Sequence, residues 1–315
     1  MKNIPSVDLS DFLSDDPKRK QKFIKEIGEA YEEIGFVALK GHFLSDNLTE
    51  SLYKEVKNFF NLPEEIKESY EIDGIGGQRG YTSFGKESAK GKKEGDLKEF
   101  WHFGQEVVGN DQLKATFPKN VIVNEVPDFN KIGIETYKKL EKTAMYVLKA
   151  LALYIGLEEN YFDKFVINGN SILRPIHYPP IKGEPKGAER AAAHGDINLI
   201  TLLMGASASG LEVQNKKGAW IPVTALPEQL VINVGDMLER LTNNKLRSTI
   251  HRVVNPPRED WGKSRFSIPF FTHPISEMPL NCLPECIDET LPKVYEDITA
   301  GEFLNERLKE LGLIK

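Results

Sequence analysis

The chain has only two cysteines, Cys282 and Cys286. That excludes a disulfide scaffold, and both are expected to stay reduced. Cys-Leu-Pro-Glu-Cys could form half of a metal site, but no second pair exists to complete it, so a plain surface loop is the simpler expectation. Positive charge is not in surplus: 41 Lys and Arg against 47 Asp and Glu leave a formal charge of −6. A nucleic-acid-binding face would need a basic patch, and nothing polybasic is there to hold the chain on a membrane. No stretch approaches the ~20 apolar residues of a spanning helix. The start, Met1-Lys-Asn-Ile-Pro-Ser, has no apolar core of a targeting segment. Repeats and low-complexity tracts are missing too. A soluble, cytoplasmic protein is expected, with neither nucleic acid nor membrane as partner; the oligomeric state stays open.

The residues present suit a large globular core: 315 of them, 40% hydrophobic and 28% charged. Ile4 to Leu9 reads as a short strand. Phe23, Ile27, Ala30, Tyr31 and Ile34 then recur at helical spacing over 17–34. Gly35 ends that helix, and Phe36-Val-Ala-Leu-Lys reads as a buried strand. Leu48, Leu52, Val56 and Phe59 mark a second helix, and Pro63 starts a third. The front is therefore β-α-β-α-α. Residues 73–98 hold seven glycines: 74, 76, 77, 80, 85, 91 and 95. They are expected to form a long mobile cover. Gly74-Ile-Gly-Gly-Gln-Arg-Gly80 is not a dinucleotide fingerprint, since its last glycine comes one place late and no strand-turn-helix frames it.

Tyr137, Leu140, Ala144, Val147, Leu151 and Ile155 predict a long helix over about 130–156, packed across the outside of the strands that come after it. From about residue 165 the period changes from 3.6 to 2. Strands are expected at 171–178, 197–204, 210–214, 219–223, 230–234, 246–254 and 265–272. Many short strands separated by turns mean a sandwich, barrel or jelly roll. Thr299-Ala-Gly-Glu302 reads as a capping box opening a last helix with Phe303, Leu304, Leu308 and Leu311.

The chemistry centres on His194-Gly-Asp196. In an extended segment, residues i and i+2 face the same way, so an imidazole and a carboxylate aim at one point. His251, in the predicted strand Ser248-Thr-Ile-His-Arg-Val-Val, could be a third ligand. Two histidines and one carboxylate with open positions is the facial triad of Fe(II) oxygenases. Of the other histidines, His42 and His273 border turns and His102 lies in an aromatic run. His177 should face away if Tyr178 faces in. Arg265-Phe-Ser267 sets a guanidinium fork and a hydroxyl on one face, suited to a carboxylate. That carboxylate is either an internal acid or a ligand. Tyr178 could add a phenol.

The motifs resemble the 2-oxoglutarate- and Fe(II)-dependent dioxygenases related to isopenicillin N synthase, over nearly the whole length. The runs that carry the likeness are Ile34-Gly-Phe-Val, Arg79-Gly-Tyr81, Leu97-Lys-Glu-Phe100, His177-Tyr-Pro-Pro180 and His194-Gly-Asp-Ile-Asn-Leu-Ile-Thr-Leu-Leu203. Gly210-Leu-Glu-Val213, Gly218-Ala-Trp-Ile-Pro-Val223, Asn233-Val-Gly-Asp236, Ser248-Thr-Ile-His-Arg-Val253 and Arg265-Phe-Ser-Ile-Pro-Phe-Phe271 come after them in order. The resemblance implies His194, Asp196 and His251 as catalytic iron ligands, with Arg265, Ser267 and Tyr178 on the distal carboxylate of 2-oxoglutarate. Relatives often carry Asn two places before the Tyr-Pro; Ile176 stands there, so that contact is absent or replaced. Arg174 is either a substrate anchor or a structural ion pair. Phe271 should face the cavity, and Phe100, His102 and Leu203 either touch substrate or pack the core.

The implied fold is mainly β with flanking helices: a double-stranded β-helix (jelly roll) with an α/β N-terminal extension. The expected division is 1–120 N-terminal region, 121–164 packing helix, 165–275 jelly-roll core and 276–315 helical extension. The implied function is oxidation, foremost hydroxylation, of a small molecule with Fe(II), 2-oxoglutarate and O₂, releasing succinate and CO₂. The alternatives are an Fe(II) oxidase of the same fold without 2-oxoglutarate, and a non-catalytic jelly-roll binding protein. Substrate identity is not legible.

Overall fold

The computed structural model describes residues 4–75, 77–87, 95–107, 117–185, 187–205, 209–224 and 226–310. Gly76 and residues 88–94 of the expected cover, and Leu311 of the expected last helix, lie outside the described residues. The strands are β1 (Ser6–Asp8), β2 (Phe36–Lys40), β3 (Gly80–Thr82), β4 (Glu99–Gly104), β5 (Ile172–Leu173), β6 (Ile176–Tyr178) and β7 (Ala191–His194). Then come β8 (Ile200–Met204), β9 (Leu211–Gln214), β10 (Trp220–Pro222), β11 (Leu230–Val234), β12 (His251–Val253) and β13 (Arg265–Thr272). They form a larger sheet, β1-β2-β11-β8-β13-β5-β4-β3 with β6 between β13 and β4, and a smaller one, β10-β9-β12-β7. This is the jelly roll, with one cavity bounded by residues of both sheets.

The N-terminal segment extends the larger sheet at both ends. β2 pairs antiparallel with β11, in the register Ala38↔Val231. β4 pairs with β5 and β6 and carries β3 at its outer edge. The helix Pro17–Glu33 starts where Asp16 accepts from the Lys18 amide at 2.9 Å. It stops at Gly35, whose φ of 71° turns the chain into β2. The long helix Phe129–Ile155 lies across β13, β5, β8 and β4. It approaches closely because a Cβ on Gly133 would sit 2.3 Å from the Phe103 ring. Among the described residues no helix is long and apolar enough to cross a membrane.

Alternation along β13 sorts its side chains between two environments. Arg265, Ser267, Pro269 and Phe271 line the cavity, while Ile268 and Phe270 pack into the main core. Its predicted bounds, and those of β11, match the structure. Elsewhere the expected strands change. The run 171–178 breaks at Arg174-Pro175 into β5 and β6. The strand expected over 246–254 shrinks to β12, because the Arg247 amide and the Thr249 hydroxyl bond the Tyr31 and Ile34 carbonyls at the end of a helix instead. β4 is buried on both faces and so shows no period of two. Cys282 and Cys286 are free thiols but buried, not on a surface loop. The capping box forms: the Glu302 amide donates to Thr299 Oγ1 at 3.2 Å, and the Thr299 amide to Glu302 Oε2 at 2.9 Å.

Gly35→Ala tests the junction between helix and β2. A Cβ there would meet the Arg247 carbonyl oxygen at 2.2 Å, on a backbone already at positive φ. The variant should lose more than about 1 kcal/mol of stability, measured by urea unfolding.

Candidate active site

His194 ends β7 and His251 opens β12, and the two stand opposite each other in register. Asp196 lies two residues past the end of the strand. There the Asp236 amide holds the Asp196 carbonyl at 2.7 Å. One ligand atom from each of His194, Asp196 and His251 lies within 4.8 Å of the others. The remaining atoms are already engaged. His194 Nδ1 bonds the Ala192 carbonyl at 2.7 Å, and His251 Nδ1 the Thr249 carbonyl at 3.2 Å. Both bonds leave Nε2 with its lone pair toward the common point. The Thr201 hydroxyl and Asn233 amide donate to Asp196 Oδ2 at 2.6 and 2.7 Å, while Oδ1 stands 3.8 Å from His251 Nε2. Two imidazole nitrogens and one carboxylate oxygen on one side of a cavity fit a divalent first-row metal such as Fe(II), with positions left for other ligands.

Burial and the neighbouring His251 and Lys98 push the His194 pKa down to about 4. Burial alone would raise Asp196, but the two imidazoles and the Asn233 and Thr201 donors hold it below its usual value. Both groups are therefore in their ligand forms at neutral pH.

Arg265 and Ser267 on β13 and Tyr178 on β6 line the same cavity. Arg265 is paired with Tyr178 in the sheet, and its guanidinium lies over the phenol ring at 5.0 Å. His177 points the other way, bonded to Glu99 at 2.7 Å and Ser264 at 3.0 Å. Arg174, Leu203 and Phe271 also line the cavity, with Phe36, Ile176, Leu211 and Val253 making much of the rest apolar. The Arg174 guanidinium is sandwiched between the rings of Phe100 and Phe271, 4.3 and 5.1 Å away. Phe100 and His102 are not among the lining residues; they sit behind Arg174, whose Nε donates to His102 Nε2.

Sequence reasoning gave no role to Thr201, Asn233, Lys98, Asp96 or Glu87. Thr201, Asn233 and Lys98 stand inside motif runs, where polar groups among apolar strand residues were the available signal. Glu87 and Asp96 offered no pattern, since only folding brings them to Lys98.

The family model described as the 2OG-Fe(II) oxygenase superfamily matches residues 169–274, and that of the N-terminal region of non-haem dioxygenases in morphine synthesis matches 4–125. The proline hydroxylase buaE of Petromyces alliaceus is 31% identical, over 97% of this chain and 98% of its own. A crystal structure of a 2OG-Fe(II) oxygenase family protein from Caulobacter crescentus is 43% identical with a TM-score of 0.88, covering 99% of this chain and 100% of its own. A full-length Neurospora crassa protein, crystallised in complex with alpha-KG and thymine, is 30% identical with a TM-score of 0.84, over 97% and 96%.

Two outcomes test this geometry. Thr201→Val, which removes one donor from Asp196, should weaken metal affinity roughly 10–100-fold, by competition with a chelating dye. Partial burial lowers the pKa values of His194 and His273 from 6.5 to about 4. Each stays neutral in the fold while the unfolded chain takes up a proton. With the metal removed by chelation, stability should therefore fall as pH drops from 6.5 to 4, by up to about 1.4 kcal/mol per pH unit for each histidine in the middle of that range. Urea titrations across that range measure the slope.

Proposed function

The chain belongs to the 2-oxoglutarate- and Fe(II)-dependent oxygenase superfamily, and from that premise we propose which of its side chains carry the reaction. It is an oxidoreductase that oxidises a small molecule by hydroxylation, with 2-oxoglutarate and O₂ as cosubstrates and succinate and CO₂ as products. His194 Nε2, Asp196 Oδ1 and His251 Nε2 hold the iron. The observation that carries this reading is their convergence within 4.8 Å, in a cavity also lined by Arg265, Ser267 and Tyr178. When bound, the iron couples oxidative decarboxylation of 2-oxoglutarate to oxidation of a substrate C–H bond.

The protein's own groups bind, orient and exclude water. Arg265 offers a two-pronged donor to the distal carboxylate of 2-oxoglutarate, Ser267 adds its hydroxyl one strand pair away, and Tyr178 its phenol. Burial strengthens these bonds, since Arg265 is 1% and Ser267 4% exposed. Thr201 and Asn233 keep Asp196 ionised and its Oδ1 turned inward. Phe36, Leu203 and Val253 keep the centre dry. Phe271 and Arg174 form the substrate wall, for a small molecule with a flat face and a hydrogen-bond acceptor. Support for that class comes from the Neurospora crassa relative, whose structure holds thymine. A cytoplasmic setting is also proposed, supported by the two free thiols.

Succinate release with Fe(II), ascorbate and 2-oxoglutarate tests the activity across a panel of small molecules. Alanine at His194, Asp196 or His251 should abolish iron binding and turnover while circular dichroism stays native; full iron occupancy in any one variant would refute the triad. Arg265→Lys keeps the charge but loses the fork. Affinity for 2-oxoglutarate should fall roughly 10–100-fold, read anaerobically from the absorption of the iron–keto acid complex.

A further inference from the structure

Arg174 and Lys98 both line the cavity, yet neither brings it net positive charge. Lys98 is 8% exposed. Its Nζ lies 2.7 Å from Asp96 Oδ2 and 2.7 Å from Glu87 Oε2. Arg174 Nη1 reaches both Glu87 oxygens at 3.3 Å. Two cations thus meet two carboxylates. The fifth polar group, His102, does not alter this balance, because burial and the Arg174 charge keep it neutral. It accepts from Arg174 Nε, and its other nitrogen bonds the Gly77 carbonyl. With Nε and Nη1 engaged, Arg174 Nη2 donates to no group among the described residues.

We propose that Glu87 is a specificity-determining residue: its carboxylate neutralises the Arg174–Lys98 wall, so the substrate subsite takes an uncharged carbonyl compound and turns carboxylates away. This deepens the reading of the cavity as the site of oxidation and rests on it. A carbonyl oxygen needs only the donor that Arg174 retains, and an aromatic or conjugated ring can lie on Phe271. A carboxylate would be stripped of water without gaining an unneutralised cation, since Glu87 already holds both cations of this wall. Glu87 stays ionised through the working pH range: burial opposes its charge, but Arg174 and Lys98 outweigh burial and hold its pKa far below the usual carboxylate range. Asp96 cannot substitute for it. Its second oxygen is committed to the Ala192 amide of β7 at 3.3 Å.

Benzamide and benzoate share shape and ring and differ in charge, so they serve as probes. Their affinities are measured by calorimetry on the full chain loaded anaerobically with Fe(II) and 2-oxoglutarate. Wild-type protein should bind benzamide more tightly. Glu87→Gln, which removes the charge and keeps the size, should move the ratio toward benzoate by about ten-fold or more. Glu87→Asp, which retains the charge, should keep the wild-type order and controls for misfolding. A wild-type preference for benzoate would mean that substrate acids displace Glu87, and would overturn the proposal. So would an unchanged ratio in Glu87→Gln, or no binding of either probe by either protein. Uncoupled consumption of 2-oxoglutarate by wild-type protein is measured alongside and tests the underlying reading separately: if it is present and the ratio does not move, only the role of Glu87 falls.

Discussion

One buried carboxylate sets the terms for the rest of the site. Asp196 is 6% exposed and lies between two imidazoles. An ionised carboxylate in such a place is costly unless its oxygens are bonded and a positive charge faces it. The fold meets the first need with Thr201 and Asn233, both on Oδ2, from neighbouring strands β8 and β11 of the larger sheet. It leaves the second to the opposite oxygen, which faces the histidines of the smaller sheet. The two sheets are thereby joined through one side chain, and the point where they meet is the point where a metal fits.

The same electrostatic constraint shapes the far wall. Arg174 and Lys98 are tolerable in the interior because Glu87 and Asp96 sit against them, and because His102 stays neutral between Arg174 and Arg79. Asp96 also bonds the Ala192 amide, and the Ala192 carbonyl bonds His194. The wall and a metal-ligating strand therefore share a chain of hydrogen bonds. Within the expected cover, the described residues Glu87, Asp96 and Lys98 form ion pairs at this wall, which a count of apolar side chains does not register.

Where side-chain period and environment coincide, the sequence was readable. β11 and β13 were legible to the residue, because the cavity and the helix-backed core want different side chains on the two faces of β13. β4 was not: Phe100 and His102 pack against Arg174 while Trp101 and Phe103 enter the main core, but all four are buried and three are aromatic hydrocarbons or indole, so the letters show no alternation of polarity. The His194-Gly-Asp196 pair was legible from its i, i+2 spacing. Both residues point to one place: His194 ends β7 and Asp196 stands two residues beyond it.

The chain by itself determined the local chemistry: the His-x-Asp pair, the Arg-x-Ser pair, the capping box, the change of period from 3.6 to 2 and the order of motifs that marks the family. These depend on neighbours within a few residues, which is the range over which backbone geometry dictates direction. Tertiary structure alone decided which polar groups neutralise one another. Asn233 lies 37 residues from Asp196, and Glu87 lies 87 from Arg174. No periodicity reaches that far. Such pairs exist because strands distant in sequence are packed around one cavity, where low polarity makes an unmatched charge too costly to keep.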